Sequence, residues 1–128
     1  MISVDGYKFD IGVYTMVTSI DPLRIYIYNG DALLRFCPQK YHPFDAANRD
    51  KYVVHDDYRP TWEVPTLARL YSDLGFTFKE TFNAHIRSLG KDPQKLWNEI
   101  EDVIRFDRLA SSVKAVVTAT AHQVANCF

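Results

Sequence analysis

Residues 8–36 read KFDIGVYTMVTSIDPLRIYIYNGDALLRF, and the order of apolar and polar side chains along them decides the fold class. Phe9, Ile11, Val13 and Val17 stand at alternate positions between Lys8 and Thr18, the period of a half-buried strand, and Asp21-Pro22 punctuates its end. Arg24-Ile-Tyr-Ile-Tyr28 and Asp31-Ala-Leu-Leu-Arg-Phe36 flank Asn29-Gly30. Asn-Gly between two apolar runs predicts a two-residue hairpin, because both turn residues tolerate positive φ. That loop length sets a register with Tyr28 opposite Asp31, Tyr26 opposite Leu33 and Arg24 opposite Arg35. One hairpin face then holds Ile25, Ile27, Ala32, Leu34 and Phe36, and the other holds the two arginines.

Downstream, the stretch from Pro38 to Pro65 keeps no period and is rich in Asp, Tyr and Pro, so it reads as a functional or mobile loop or one that hides a short element. The period then becomes helical. Pro65 suits a first helical position, Leu67, Leu70, Tyr71 and Leu74 follow at spacings of three and four, and Gly75 closes the helix. Thr77 with Glu80 spells a capping box for a second helix that turns Phe78, Phe82, Ile86 and Leu89 inward and stops at Gly90. Asp92-Pro93 opens a third, striped with Trp97, Ile100, Val103 and Ile104, and Ser112 opens a fourth with Val113, Val116, Val117, Thr120 and Val124 inward. Strands followed by helices predict an α+β fold.

The chain has 128 residues, 15 Lys+Arg against 16 Asp+Glu and 47% hydrophobic residues, enough for one globular unit and one core. Basic and acidic residues number 7 and 9 up to residue 64 and 8 and 7 beyond it, with no run of like charge, which disfavours a nucleic-acid or membrane footprint. Cys37 and Cys127 form no CxxC pair, so neither a disulfide framework nor a zinc site is indicated, and a reducing compartment fits best. No apolar stretch approaches the roughly 20 residues of a membrane span, and no secretory signal opens the chain. Both ends read as cut from something longer.

Like charges opposite one another across strands are destabilising unless solvent or a counter-anion screens them, so the expected Arg24/Arg35 pair points to an anion. Alternation puts Lys8, Asp10 and Gly12 on the face away from Phe9, Ile11 and Val13. If the polar faces stack together, Lys8, Asp10 and Arg35 converge on one groove, where cations meet phosphate oxygens and a carboxylate accepts from ribose hydroxyls. The plainer alternative is a solvated outer face. No glycine-rich phosphate loop is present. His42, His55, His85 and His122 are too scattered for metal spacing, the Asp56-Asp57 pair is a candidate to attract a cation but reads more simply as solvated or a cap, and Cys37 reads as a small core residue.

KFDIGVYTMVTSIDPLRIYIY at 8–28, LLRFC followed by QKY up to Tyr41, LWNEIEDVI at 96–104 and NCF at 126–128 together resemble the tubulin tyrosine ligase-like family. These are ATP-grasp enzymes that join an amino acid to tubulin. The resemblance implies that residues 1–128 are the central part of such a domain, cut at both ends. It implies that Lys8 and Asp10 contact ATP near its adenosine part and that Arg35 contacts the phosphates. It further implies a ligase: ATP phosphorylates a carboxylate to an acylphosphate, and an amino group displaces phosphate to form an amide bond. Arg35 and magnesium would offset charge on the phosphoryl group. The same resemblance implies a free amino acid, glutamate by preference, and tubulin or microtubule C-terminal tails as partners, and a cytoplasmic, microtubule-associated location. The family's magnesium ligands, an Asp and then a Glu-x-Asn, fall beyond Phe128, and its hinge and phosphate-binding lysines fall before Met1.

Three departures stand beside those matches. The family's Arg after Lys-Phe-Asp-Ile is Gly12 here, and glycine cannot pair with a carboxylate. Tyr52-Val-Val-His55 lacks the family's Thr-Asn, and one more residue precedes Arg35. Beside the ligase reading therefore stand two others: an inactive ATP-grasp-like module that binds tubulin or nucleotide, and a generic α+β domain.

Overall fold

The computed structural model describes residues 3–110. Strands β1 (Phe9–Gly12), β2 (Thr15–Ile20), β3 (Leu23–Ile27) and β4 (Leu33–Phe36) precede helices α1 (Pro65–Asp73), α2 (Phe78–Ser88) and α3 (Pro93–Ala110). The order is α+β, as the pattern predicts. The helix expected from Ser112 lies outside the described residues.

The strand partners differ from expectation. β1 pairs antiparallel with β4 and β2 with β3, in separate two-stranded sheets. The hairpin at Asn29-Gly30 does not form. The tight turn is Asp21-Pro22, joined by a cis peptide bond, which folds β2 onto β3 with Met16 opposite Tyr26 and Ile20 opposite Leu23. Arg24 faces Ser19 and Arg35 faces Asp10, so the two arginines never meet across strands. This pairing replaces a repulsive cross-strand contact with an attractive one. Gly30 is not among the positive-φ glycines either. Its lack of a side chain serves close approach instead, because a Cβ there would collide with the ring of Tyr28. That ring meets Tyr14 edge-on at 6.4 Å between centroids, and the Tyr28 N–H donates to the Tyr14 carbonyl at 2.8 Å.

The core lies between the β1–β4 ladder and the helices. Phe9, Ile11, Leu34 and Phe36 are buried on one face of the ladder, and Phe9 touches the rings of Phe36 and Phe82 at 5.4 and 5.5 Å. Leu67 from α1, Phe82 and Ile86 from α2, and Leu96, Trp97, Ile100 and Ile104 from α3 close the cluster. Fully burying each such side chain contributes about 1.5–3 kcal/mol. Ile25 and Ile27 pack against it at half depth.

The helix ends show where sequence signals succeed and fail. Pro65 begins α1, and Asp92 accepts from the Gln94 N–H at 2.9 Å to cap α3. The capping box at α2 does not form: Thr77 makes no side-chain cap bond. Asp31 caps the helix from 47 residues away, its carboxylate accepting from the N–H groups of Phe78 at 2.9 Å and Lys79 at 2.7 Å. An aspartate reaching the positive end of the helix dipole outcompetes the local hydroxyl. Leu89, expected inward, is exposed. It follows the last helical residue, where the chain leaves the helix through bonds from Gly90 N–H to Arg87 O and Lys91 N–H to Ile86 O. Gly90 takes φ 74°, the left-handed residue such a termination requires. Leu74, placed on the inner stripe of α1, is exposed as well, since it too follows its helix's last residue.

The aperiodic stretch hides short elements: single 3₁₀ turns at Arg49–Lys51 and Thr61–Glu63. It also returns to the sheet, because Arg59 and Phe36 exchange both backbone hydrogen bonds, at 2.8 and 3.2 Å. Among the described residues no helix is long and apolar enough to cross a membrane.

Candidate functional site

Strand parity sorts the β1–β4 ladder into two chemistries. With Phe9, Ile11, Leu34 and Phe36 facing the core, Asp10 and Arg35 fall on the opposite face as direct cross-strand partners. Lys8, two residues before Asp10, falls on the same side by alternation.

The ion pair is bidentate. Arg35 Nε donates to Asp10 Oδ1 at 3.0 Å and Nη2 donates to Oδ2 at 2.6 Å, a planar fork matched to a carboxylate. This hydrogen bonding pushes the Arg35 pKa further up, and burial opposes it. The Asp10 side chain is 11% exposed and that of Arg35 25%, so the guanidinium is the more open member of the pair.

Lys8 lies partly buried beside them, and its ammonium donates to the Tyr52 carbonyl at 2.6 Å. Burial lowers its pKa, while the charge of Asp10 works the other way. Cys37 is fully buried next along the chain from β4, and burial pushes its thiol pKa up, so it is a core thiol as its sequence context predicts.

The structure thus brings Asp10 and Arg35 into contact and sets Lys8 on the same face. The ammonium and guanidinium are donors that suit a phosphate-bearing ligand, while the charges of both Asp10 and Asp56 act on Arg35. The aperiodic segment supplies what the sequence did not mark: the Tyr52 carbonyl holds Lys8, and the Tyr58 ring lies 6.0 Å from the Arg35 guanidinium carbon. Nothing in the period of that segment distinguishes these tyrosines from its others.

Gly12 follows on the same side of β1, opposite Leu33, and a Cβ there would stand 3.3 Å from the Leu33 Cβ. A separate cavity of about 300 Å³ opens between β3 and α3, lined by Ile25, Ile27, Lys79, Trp97, Ile100 and Arg105 among others, and excludes Lys8, Asp10 and Arg35. Among the described residues no three His, Cys, Asp or Glu side chains gather in a way that could hold a metal ion.

Comparison with known proteins adds a family. A model of the tubulin-tyrosine ligase family matches residues 2–128. The chain is 52% identical over 101 residues to a Caenorhabditis elegans protein named "Probable tubulin polyglutamylase ttll-15", covering 79% of this chain and 20% of that protein. It is 30% identical over 132 residues to the tubulin polyglutamylase TTLL6 of Mus musculus and 31% identical over 129 residues to the mouse tubulin polyglutamylase TTLL13, in each case covering 98% of this chain and 15% of the relative. The chain therefore spans a fifth or less of the length of these relatives.

Proposed function

Because the chain belongs to the tubulin-tyrosine ligase family, we propose that the protein is an ATP-dependent ligase that attaches glutamate to tubulin, with residues 1–128 contributing the central part of an ATP-grasp domain. The observation that carries the reading is that Lys8, Asp10 and Arg35 share the side of the β1–β4 ladder away from the core. In this reading Lys8 and Asp10 lie toward the adenosine part of ATP and Arg35 toward its phosphates. ATP supplies the phosphoryl group that converts a carboxylate to an acylphosphate, and the amino group of the incoming acceptor then displaces phosphate. Arg35 offsets negative charge on the phosphates, and the Tyr52 carbonyl fixes the Lys8 ammonium on the same face. Magnesium is the accompanying cofactor, and we assign none of its ligands to the described residues. The names of the relatives support glutamate and tubulin as the pair joined. A cytoplasmic, microtubule-associated location follows from that partner.

Gly12 supports a second reading, an inactive module that keeps nucleotide or tubulin binding, since no guanidinium is available at that position to hold a carboxylate. One experiment separates the two. Full-length protein is incubated with tubulin, ATP, magnesium and radiolabelled glutamate, with glycine and tyrosine in parallel. ATP-dependent incorporation of glutamate that Arg35→Ala abolishes supports the ligase. Binding of ATP without incorporation of any amino acid replaces it with the module.

A further inference from the structure

We propose that Asn29 is a site of spontaneous deamidation, where the backbone nitrogen of Gly30 attacks the side-chain amide, and that the isoaspartate formed there loosens the start of α2. Base removes the Gly30 amide proton, and the nitrogen adds to Asn29 Cγ. The bond from Cγ to the side-chain nitrogen breaks, ammonia leaves, and a five-membered succinimide closes. Water then adds to one of the two ring carbonyls. Opening on one side gives aspartate; opening on the other gives isoaspartate, whose main chain runs through the former side chain and is one carbon longer.

Three observations carry the inference. Asn29-Gly30 has the composition of a hairpin turn, yet it lies in the irregular connector between Ile27 and Leu33, outside both ladders. Ring closure needs Asn29 Cγ to swing over the next backbone nitrogen, a rotation that a helix or a ladder resists and a connector permits. Asn29 is exposed, and Gly30 has no Cβ to block the approach. Both residues line the cavity of about 300 Å³ beside β3, which leaves room for the rotation and for water. The other asparagines are followed by bulkier residues: Asn48, Asn83, Asn98 and Asn126 precede Arg49, Ala84, Glu99 and Cys127. Asn83 and Asn98 also sit inside α2 and α3, and the Asn48 amide donates to Gln39 Oε1 at 3.0 Å. Both ends of the connector are tied. The Tyr28 N–H donates to the Tyr14 carbonyl at 2.8 Å, and Asp31 accepts from the N–H groups of Ala32, Phe78 and Lys79. An added main-chain carbon has to be taken up at Gly30, where the Tyr28 ring already fills the place of a Cβ. The displacement passes to Asp31, which holds α2 by side-chain bonds alone, before it reaches the ladder-bonded strands on either side.

The test ages the folded full-length protein at neutral and at mildly alkaline pH and follows each asparagine by peptide mass spectrometry. Isoaspartate is read by methyl transfer from S-adenosylmethionine with an isoaspartate methyltransferase. Asn29 is expected to convert several-fold faster than Asn48, and faster at the higher pH, because the attacking nitrogen has to lose its proton. Asn29→Gln would have to close a six-membered ring and is expected to lose the methyl-accepting signal from that peptide. Amide exchange at Phe78 and Lys79 is expected to quicken several-fold in the aged protein and to stay at the fresh value in aged Asn29→Gln. Fresh Asn29→Asp carries the new charge without the longer main chain and is expected to exchange like fresh wild type. An Asn29 that stays intact in the folded protein, or an Asn48 that converts as fast, overturns the modification site. Isoaspartate that leaves exchange at Phe78 and Lys79 unchanged, or fresh Asn29→Asp exchanging as fast as the aged protein, overturns the effect of the lengthened connector on α2.

Discussion

Replacing Asp31 with alanine tests whether α2 is capped from a distance. Asp31 Oδ1 and Oδ2 accept from the backbone N–H groups of Lys79 and Phe78, and Oδ1 also accepts from the Ala32 N–H at 2.9 Å. Loss of a helix cap costs about 1 kcal/mol. Loss of a negative charge from the helix N-terminus removes about 0.3–1 kcal/mol more. With the Ala32 bond gone as well, the expected loss is about 2–3 kcal/mol, or roughly 6–15 °C in Tm for a chain of this size. Thr77 occupies the N-cap position by sequence, yet its hydroxyl is buried without a hydrogen-bond partner among the described residues. Thr77→Val is therefore expected to stay within about 0.5 kcal/mol of wild type or to stabilise slightly. Urea unfolding followed by circular dichroism gives both values, and amide exchange at Phe78 and Lys79 localises the effect. A Thr77→Val loss equal to that of Asp31→Ala would refute the reasoning, as would an Asp31→Ala variant indistinguishable from wild type.

Two further perturbations follow from buried polar groups. The Trp97 indole N–H donates to Asn83 Oδ1 at 2.7 Å inside the core, so Trp97→Phe strands that oxygen and is expected to cost about 1–3 kcal/mol. Asn83→Ala in the Trp97→Phe background should then cost less than it does alone, as read from urea midpoints of the four proteins. Burial lowers the His85 pKa from its ordinary value of 6.5, against a smaller opposing influence of Asp5. The unfolded chain therefore takes up a proton that the folded one resists, so stability is full above about pH 6.5 and declines as pH falls below it. In His85→Asn that part of the decline should disappear between pH 5 and 7, and an unchanged pH profile would count against it.

The pattern in residues 9–13 and 33–36 revealed which side chains face the core, because period-two alternation survives whatever strand lies alongside. Partner choice was not legible. Residues 8–18 look like one strand, but Phe9–Gly12 pairs with β4 and the part from Thr15 onward pairs with β3. Asn29-Gly30 carries the hairpin signal without the hairpin, since its glycine makes room for the Tyr28 ring. Strand parity alone puts Lys8, Asp10 and Arg35 on one face, although the argument that singled out Arg35 invoked Arg24, which lies in the other sheet. Asp31 at α2 escaped because its target lies 47 residues away, beyond any local capping pattern. The Tyr52 carbonyl escaped because a backbone acceptor belongs to every residue and leaves no trace in composition.

The β2–β3 hairpin leaves the β1–β4 ladder through two connectors, residues 13–14 and 28–32, and the Tyr14–Tyr28 contact ties one to the other. The hairpin is therefore anchored twice over, by the packing of Ile25 and Ile27 on the core and by two short spans that join the ladder at Gly12 and Leu33, the ends of the strands that carry Asp10 and Arg35.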